Sequence, residues 1–251
     1  MNVSSVVIPL FLSLSITYCS FLLHQEIYKE LVLAIFRLVC QLLLLSYILT
    51  WIFNQQGVFI GCAAAAIMTV NASLNVKSRV KHQYPGIFLD NLTCLAIIIW
   101  PLCALGSQAL YGQEMGKSSL FLPLLGMLLG NTLNGLSQGL DFFTKDLKEK
   151  KDDVLSLIAL GATTTEATRA LFNQSLRFGL SPNMNAMISM GIVSIPGVMT
   201  GQLMAGVTPL KAVTMQIAMM LLVLTGSYLG LVASLLLARR RFFNSRGEIC
   251  F

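Results

Sequence analysis

The stretch "KAVTMQIAMMLLVLTGSYLGLVASLLL", Lys211 to Leu237, decides the fold. After Lys211 it carries no charge until Arg239, Arg240 and Arg241 close it. A hydrocarbon layer about 30 Å thick needs roughly 20 apolar residues in a helix, and this run exceeds that. Six further runs of the same kind precede it: Val3–Leu23, Leu31–Phe53, Gly57–Val76, Phe88–Leu110, Leu120–Leu140 and Asn185–Gly206. The first is the weakest, because Ser4, Ser5, Ser13, Ser15 and Thr17 dilute it; without it six spans remain.

Composition agrees. The chain has 251 residues, 55% hydrophobic and 11% charged, whereas a soluble domain carries about 25% charged residues. The sequence therefore predicts an all-α polytopic membrane protein of about seven spans, one transmembrane domain over residues 1–251. The N-terminus has no basic segment ahead of Val3, so the first run reads as a retained span and not a cleaved signal. The net charge of +6 does not point to nucleic acid, because the charges sort by membrane side. Lys29, Lys77, Arg79, Lys81, Lys145, Lys148, Lys150, Lys151, Arg169, Arg177, Arg239, Arg240, Arg241 and Arg246 fall in alternate loops or at the C-terminus, fourteen of the seventeen basic residues. Lys117 and Lys211 fall on the other side, and Arg37 within a span. The positive-inside rule puts the N-terminus outside and the C-terminus in the cytoplasm.

One long polar segment, Asp141–Pro182, interrupts the spans on the cytoplasmic side. Its first half, "DFFTKDLKEKKDDVLSLIAL", extends the fifth span as a helix. Gly161 suits the left-handed residue that ends a helix. Thr163 and Glu166 have capping-box spacing, so a second helix starts at Thr164. Ser181 and Pro182 mark its stop and the start of the sixth span. This second helix is amphipathic, with Arg169 and Arg177 away from its apolar face. It either lies on anionic lipid headgroups or docks in a groove of another protein.

Polar groups inside spans are costly and invite a reading. Asn131, Asn134 and Gln138 form a stripe on the fifth span that serves either interhelical hydrogen bonds or a transport path. Asn71 and Asn75 share a face of the third span. Asp90 is either a solvated interfacial carboxylate or a partner for Arg37. Gly126 with Gly130, and Gly135 with Gly139, are small-residue pairs that favour close helix contact, within one subunit or between two copies. Pro196 and Gly197 break the sixth span near mid-membrane, as a hinge or a fixed kink. Met187, Met190, Met199, Met204, Met215, Met219 and Met220 cluster on the last two spans. Thioethers suit soft ions, and methionine is also ordinary packing filler. Met190 and Met199 are the candidate metal ligands.

Other chemistry is poorly supported. "YGQEMGKSS", Tyr111–Ser119, has three residues between Gly112 and Gly116 where a phosphate-binding loop has four, so the chain has no ATPase motif and no cofactor of its own. His24 and His82 sit in short inner loops. The six cysteines, Cys19, Cys40, Cys62, Cys94, Cys103 and Cys250, have neither metal-site nor disulfide-framework spacing.

"IALGAT" (Ile158–Thr163) with "EATRALFNQSLRFGLSP" resembles the cytoplasmic loop of ATP-binding-cassette permeases. The importers' Glu-Ala-Ala would fall near Leu155, where this chain has "LSL", so it differs from ordinary importers. "RLVCQLLLLSYILTWIF" (Arg37–Phe53), "LLGMLLGNTLNGLSQGL" (Leu124–Leu140) and "NMNAMISMGIVSIPGVMTGQLMAGVTPLKAV" (Asn183–Val213) resemble the FetB-type permease family over nearly the whole chain. That resemblance implies a permease subunit exporting iron or another metal across the bacterial plasma membrane. It implies a homodimer and a separate ATPase subunit that binds ATP and docks at Gly161, Thr163, Glu166 and Arg169. The alternatives are a secondary carrier driven by an ion gradient and an ATP-driven permease for another cargo, such as a nucleotide sugar.

Overall fold

A computed structural model of the chain describes residues 4–22, 27–55, 58–112 and 118–243. His24, Lys117, Arg246, Cys250 and residues 113–117 of the glycine-lysine stretch lie outside them. The described residues are almost entirely helical, and their contacts fall into two compact units, Met1–Gly57 and Val58–Phe251.

The first unit holds α1 (Ser4–Leu22) and α2 (Tyr28–Gln55). Three of the hydroxyls that dilute α1 turn back onto its own backbone: Ser13 donates to the Leu10 carbonyl, Ser15 to Leu12 and Thr17 to Leu14. α2 is long and apolar enough to cross a bilayer, and its most hydrophobic window buries none of its residues. A helix this apolar has lipid as its natural solvent. Arg37 is exposed on it.

The second unit is a bundle. Its long helices are α3 (Val58–Arg79), α4 (Ile87–Tyr111), α5 (Ser118–Glu149) and α10 (Pro209–Phe242). These four and α2 are the five described helices fit to cross a membrane. Between α5 and α10 come α6 (Lys151–Ala159), α7 (Thr164–Ala167), α8 (Arg169–Ser189) and α9 (Gly197–Met204). α5 is the axis. Leu125, Leu128, Leu136, Leu140, Phe143 and Leu147 are fully buried along one of its faces, at the three- and four-residue spacing that keeps a helical stripe together.

Four features depart from expectation. The helical extension of α5 is interrupted at Lys150, and the helix that starts at Thr164 is interrupted at Thr168. The helix that begins after Thr168 does not stop at Pro182 but runs through it to Ser189. The expected sixth span, Asn185–Gly206, is two helices: α8 ends at Ser189, residues 190–196 are non-helical, and α9 follows. Pro196 is the N-cap of α9, so it starts a helix where a kink within one was expected. Gly191 turns the chain in the left-handed region, at φ 82°.

Directions follow from side-chain contacts. α3 runs beside α5 in the same sense, with Met68 at Gly126 and the Lys81 amide donating to Asp141 at 2.8 Å. α8 runs antiparallel to both α5 and α10. Gly179 meets Gly135, and Asn183 donates to the Ser227 hydroxyl at 2.8 Å. One end of the bundle thus collects Lys77, Arg79, Lys81, Lys145, Lys148, Lys150 and Arg239 to Arg241, while Lys211 lies at the start of α10. At the basic end Asp90, which is buried, is held by a fork from Arg241 at 3.0 and 3.3 Å. Asp90 is therefore neither a freely solvated carboxylate nor a free partner for Arg37.

Candidate functional site

The basic end carries a built elbow. Leu160 caps α6, the Ala162 amide donates to the Leu157 carbonyl and the Gly161 amide to Ile158, a Schellman arrangement. It requires a left-handed residue, and Gly161 supplies φ 98° with nothing near the position a Cβ would take. Two residues on, the capping box is complete. The Thr163 amide donates to the Glu166 carboxylate at 2.8 Å, and the Glu166 amide donates to the Thr163 hydroxyl at 3.3 Å. The Thr163 hydroxyl also donates to that carboxylate at 2.7 Å. The hydroxyl first and the amide second hold the Glu166 carboxyl below the usual carboxylate range. Its cap is therefore whole above the ordinary carboxylate pKa and is lost as pH falls through the lowered value.

Thr163→Ala removes the hydroxyl that accepts from the Glu166 amide and donates to its carboxylate, and leaves the Thr163 amide bond in place. It is expected to weaken the start of α7 by about 1 kcal/mol. Faster amide exchange across residues 164–168 would report it; unchanged exchange there would show that packing, not the cap, holds the elbow.

Glu166 and Arg169 line one cavity of about 330 Å³ with Thr165, Phe172, Leu236 and Arg239. Arg239 lies over the Phe172 ring at 5.9 Å. Gly161 and Thr163 do not line it; they precede its residues in the elbow. The four residues expected at a docking site therefore share one end of the molecule.

The expected path residues do not form a single site. On α5, Asn134 and Gln138 are exposed and Asn131 half-buried. Asn131 donates to its own helix, at the Met127 carbonyl, and Asn134 accepts from Arg79 at 2.7 Å. Asn71 and Asn75 bond back along α3. Toward the basic end, α3 and α5 thus carry amides and Arg79 on exposed or half-buried positions. Pro196 lies elsewhere, in the wall of a second cavity of about 360 Å³ at the α8–α9 break, and Gly197 begins α9 beside it. That cavity faces Val213 to Leu221 of α10, nearer Lys211 than the basic end, not at mid-span. Met187, Met190, Met199 and Met220 all line it, which brings both candidate metal ligands together. Met204 and Met215 do not line it; the Met215 sulfur instead accepts from Gln202 at 3.5 Å.

The same wall contains Gln216, which was not among the expected site residues. It is 9% exposed and its Oε1 accepts no hydrogen bond. Its sequence signal is simple: a lone amide in the apolar run from Ala212 to Leu224 is costly unless used. Gly179 also escaped the sequence reading, because nothing local marks a glycine that meets another helix. Among the described residues no group of three or more His, Cys, Asp or Glu is placed to hold a metal, and Cys40, Cys62, Cys94 and Cys103 are free thiols.

The family described as Uncharacterised protein family (UPF0014) matches residues 3–243. The "Probable iron export permease protein FetB" of Escherichia coli is 25% identical over 90% of this chain and 87% of its own length. "Protein ALUMINUM SENSITIVE 3" of Arabidopsis thaliana is 27% identical over 88% of this chain and 80% of its own. The "UPF0014 membrane protein STAR2" of Oryza sativa is 26% identical over 88% and 76%. No solved structure matches the chain.

Proposed function

The chain belongs to the uncharacterised family UPF0014, and from that premise we propose that it is the transmembrane permease subunit of an ATP-binding-cassette transporter. It exports iron or another metal, and a separate ATPase subunit drives it. A relative named as an iron export permease, matched over most of both chains, supports the cargo class. The proposal places the protein in a bacterial plasma membrane as a homodimer. The basic end and C-terminus face the cytoplasm and the N-terminus faces outward, in keeping with the positive-inside rule.

One observation carries the reading. The elbow is a doubly capped turn at the basic end, and it leads into a helix that packs against α5 and α10. A docked ATPase would grip Glu166 and Arg169 and displace α8. That displacement would travel about 30 Å, at 1.5 Å per residue over 21 residues, to the α8–α9 break. Cargo release at the other side would follow from the break opening.

The test is co-expression with the cognate ATPase and iron uptake into inside-out vesicles. The expected result is co-purification of the two chains and accumulation that needs both chains and ATP. Iron movement by this chain alone, driven by an ion gradient, would refute the proposal.

A further inference from the structure

We propose that the methionine-lined cavity at the α8–α9 break binds a soft monovalent cation, silver(I) or copper(I). The inference stands apart from the ATPase question, since it concerns what this chain alone binds.

The donor set is the first ground. Four thioethers, Met187, Met190, Met199 and Met220, line one cavity. Thioether sulfur is neutral, polarizable and a ligand for soft ions, whereas hard trivalent ions need charged oxygen. No carboxylate or imidazole lines the cavity to neutralise such a charge. Methionine has three rotatable side-chain bonds, so the sulfurs can close on an ion smaller than the space.

Gln216 is the second ground. A buried carbonyl oxygen without a donor costs about 1–3 kcal/mol. The Gln216 Oε1 carries that cost beneath the wall that its side chain helps to form, and a turn of the amide toward a bound cation would offset the loss. The broken backbone is the third. Gly191, also on the wall, lies in the non-helical stretch 190–196, outside the ladders of α8 and α9. Unwound backbone in membrane proteins is a recurrent source of cation-coordinating carbonyls.

The test uses the full chain in detergent and reads oxidation of each methionine to its sulfoxide by peroxide, with and without saturating silver(I). A sulfur whose lone pair is bound to silver oxidises slowly. Protection of Met187, Met190, Met199 and Met220 by about tenfold or more is expected, with Met204, 86% exposed, oxidised at its normal rate. Cysteines do not confuse this readout, because it is resolved residue by residue. Gln216→Leu should raise the silver concentration needed for protection, and Met199→Leu should expose the other three sulfurs again. Equal protection of Met204, or no protection of the four, overturns the proposal. So does protection by toluene without protection by silver, which would assign the cavity to neutral apolar ligands.

Discussion

Gly179→Val is expected to leave little or no monodisperse protein in detergent. A Cβ at this position would lie 2.6 Å from the Gly135 carbonyl oxygen, 2.5 Å from Leu231 Cδ2 and 3.3 Å from the Gly139 Cα. Leu231 can move; the α5 backbone cannot move without separating α5 from α8. Overpacking of a core commonly costs about 1–3 kcal/mol, and here the obstructing atoms belong to the element that organises the bundle. Helix association in lipid depends on close packing more than on burial from water, so there is little other force to restore the contact. Gly161→Ala is the matching control. It meets no neighbour and bears only the strain of a left-handed alanine, about 1 kcal/mol. Thermal midpoints measured by size-exclusion recovery should fall steeply for Gly179→Val and little for Gly161→Ala. A midpoint for Gly179→Val within about 2 °C of the parent would mean that α5 and α8 do not pack through these glycines.

Ala167→Pro should separate docking from folding. The Ala167 amide donates to the Thr163 carbonyl at 2.9 Å, the bond that closes the first turn of α7. Proline deletes that donor and drives its ring into the same carbonyl, at a cost of about 3 kcal/mol in a helix. Ala167 is buried, but it lies in a four-residue helix outside the α5–α10 core. The bundle is therefore expected to keep its thermal midpoint while association with the ATPase weakens about tenfold or more, and ATP-driven transport fails with it. Glu166→Lys should do the same by reversing a charge on the cavity wall that holds Arg169 and Arg239. Normal ATPase binding and transport in both variants would end the assignment of the elbow as the docking site.

Local chemistry made part of this structure legible and concealed the rest. The left-handed Gly161 and the Thr163–Glu166 box are short-range features, and each appears where its residues place it, whereas the extension of α5 past Leu140 stops at Glu149 and resumes as α6. The run of α8 through Pro182 was hidden because proline normally ends a helix. Here Asn183 reaches Ser227 in the core, Gly179 and Leu180 are buried, and Phe178 stacks on Phe142 at 4.5 Å. Those contacts hold the helix while the exposed side of Pro182 bears the missing hydrogen bond. Pro196 did signal a discontinuity, but the helix ends seven residues earlier, at Ser189, and Gly191 then turns the chain. The Asp90–Arg241 fork joins residues 151 positions apart, beyond the reach of any local pattern. The methionines were visible as a group, whereas their convergence on Gln216 needed the fold.

The unbroken course of α8 also imposes a thermodynamic symmetry. One end of that helix lies at the elbow and the other at the methionine cavity. If docking at the first end favours one position of the helix, and a ligand at the second end favours the same position, the two events share a single coupling free energy. A docked ATPase would then change the affinity of the cavity by the same factor by which a filled cavity changes the affinity for the ATPase.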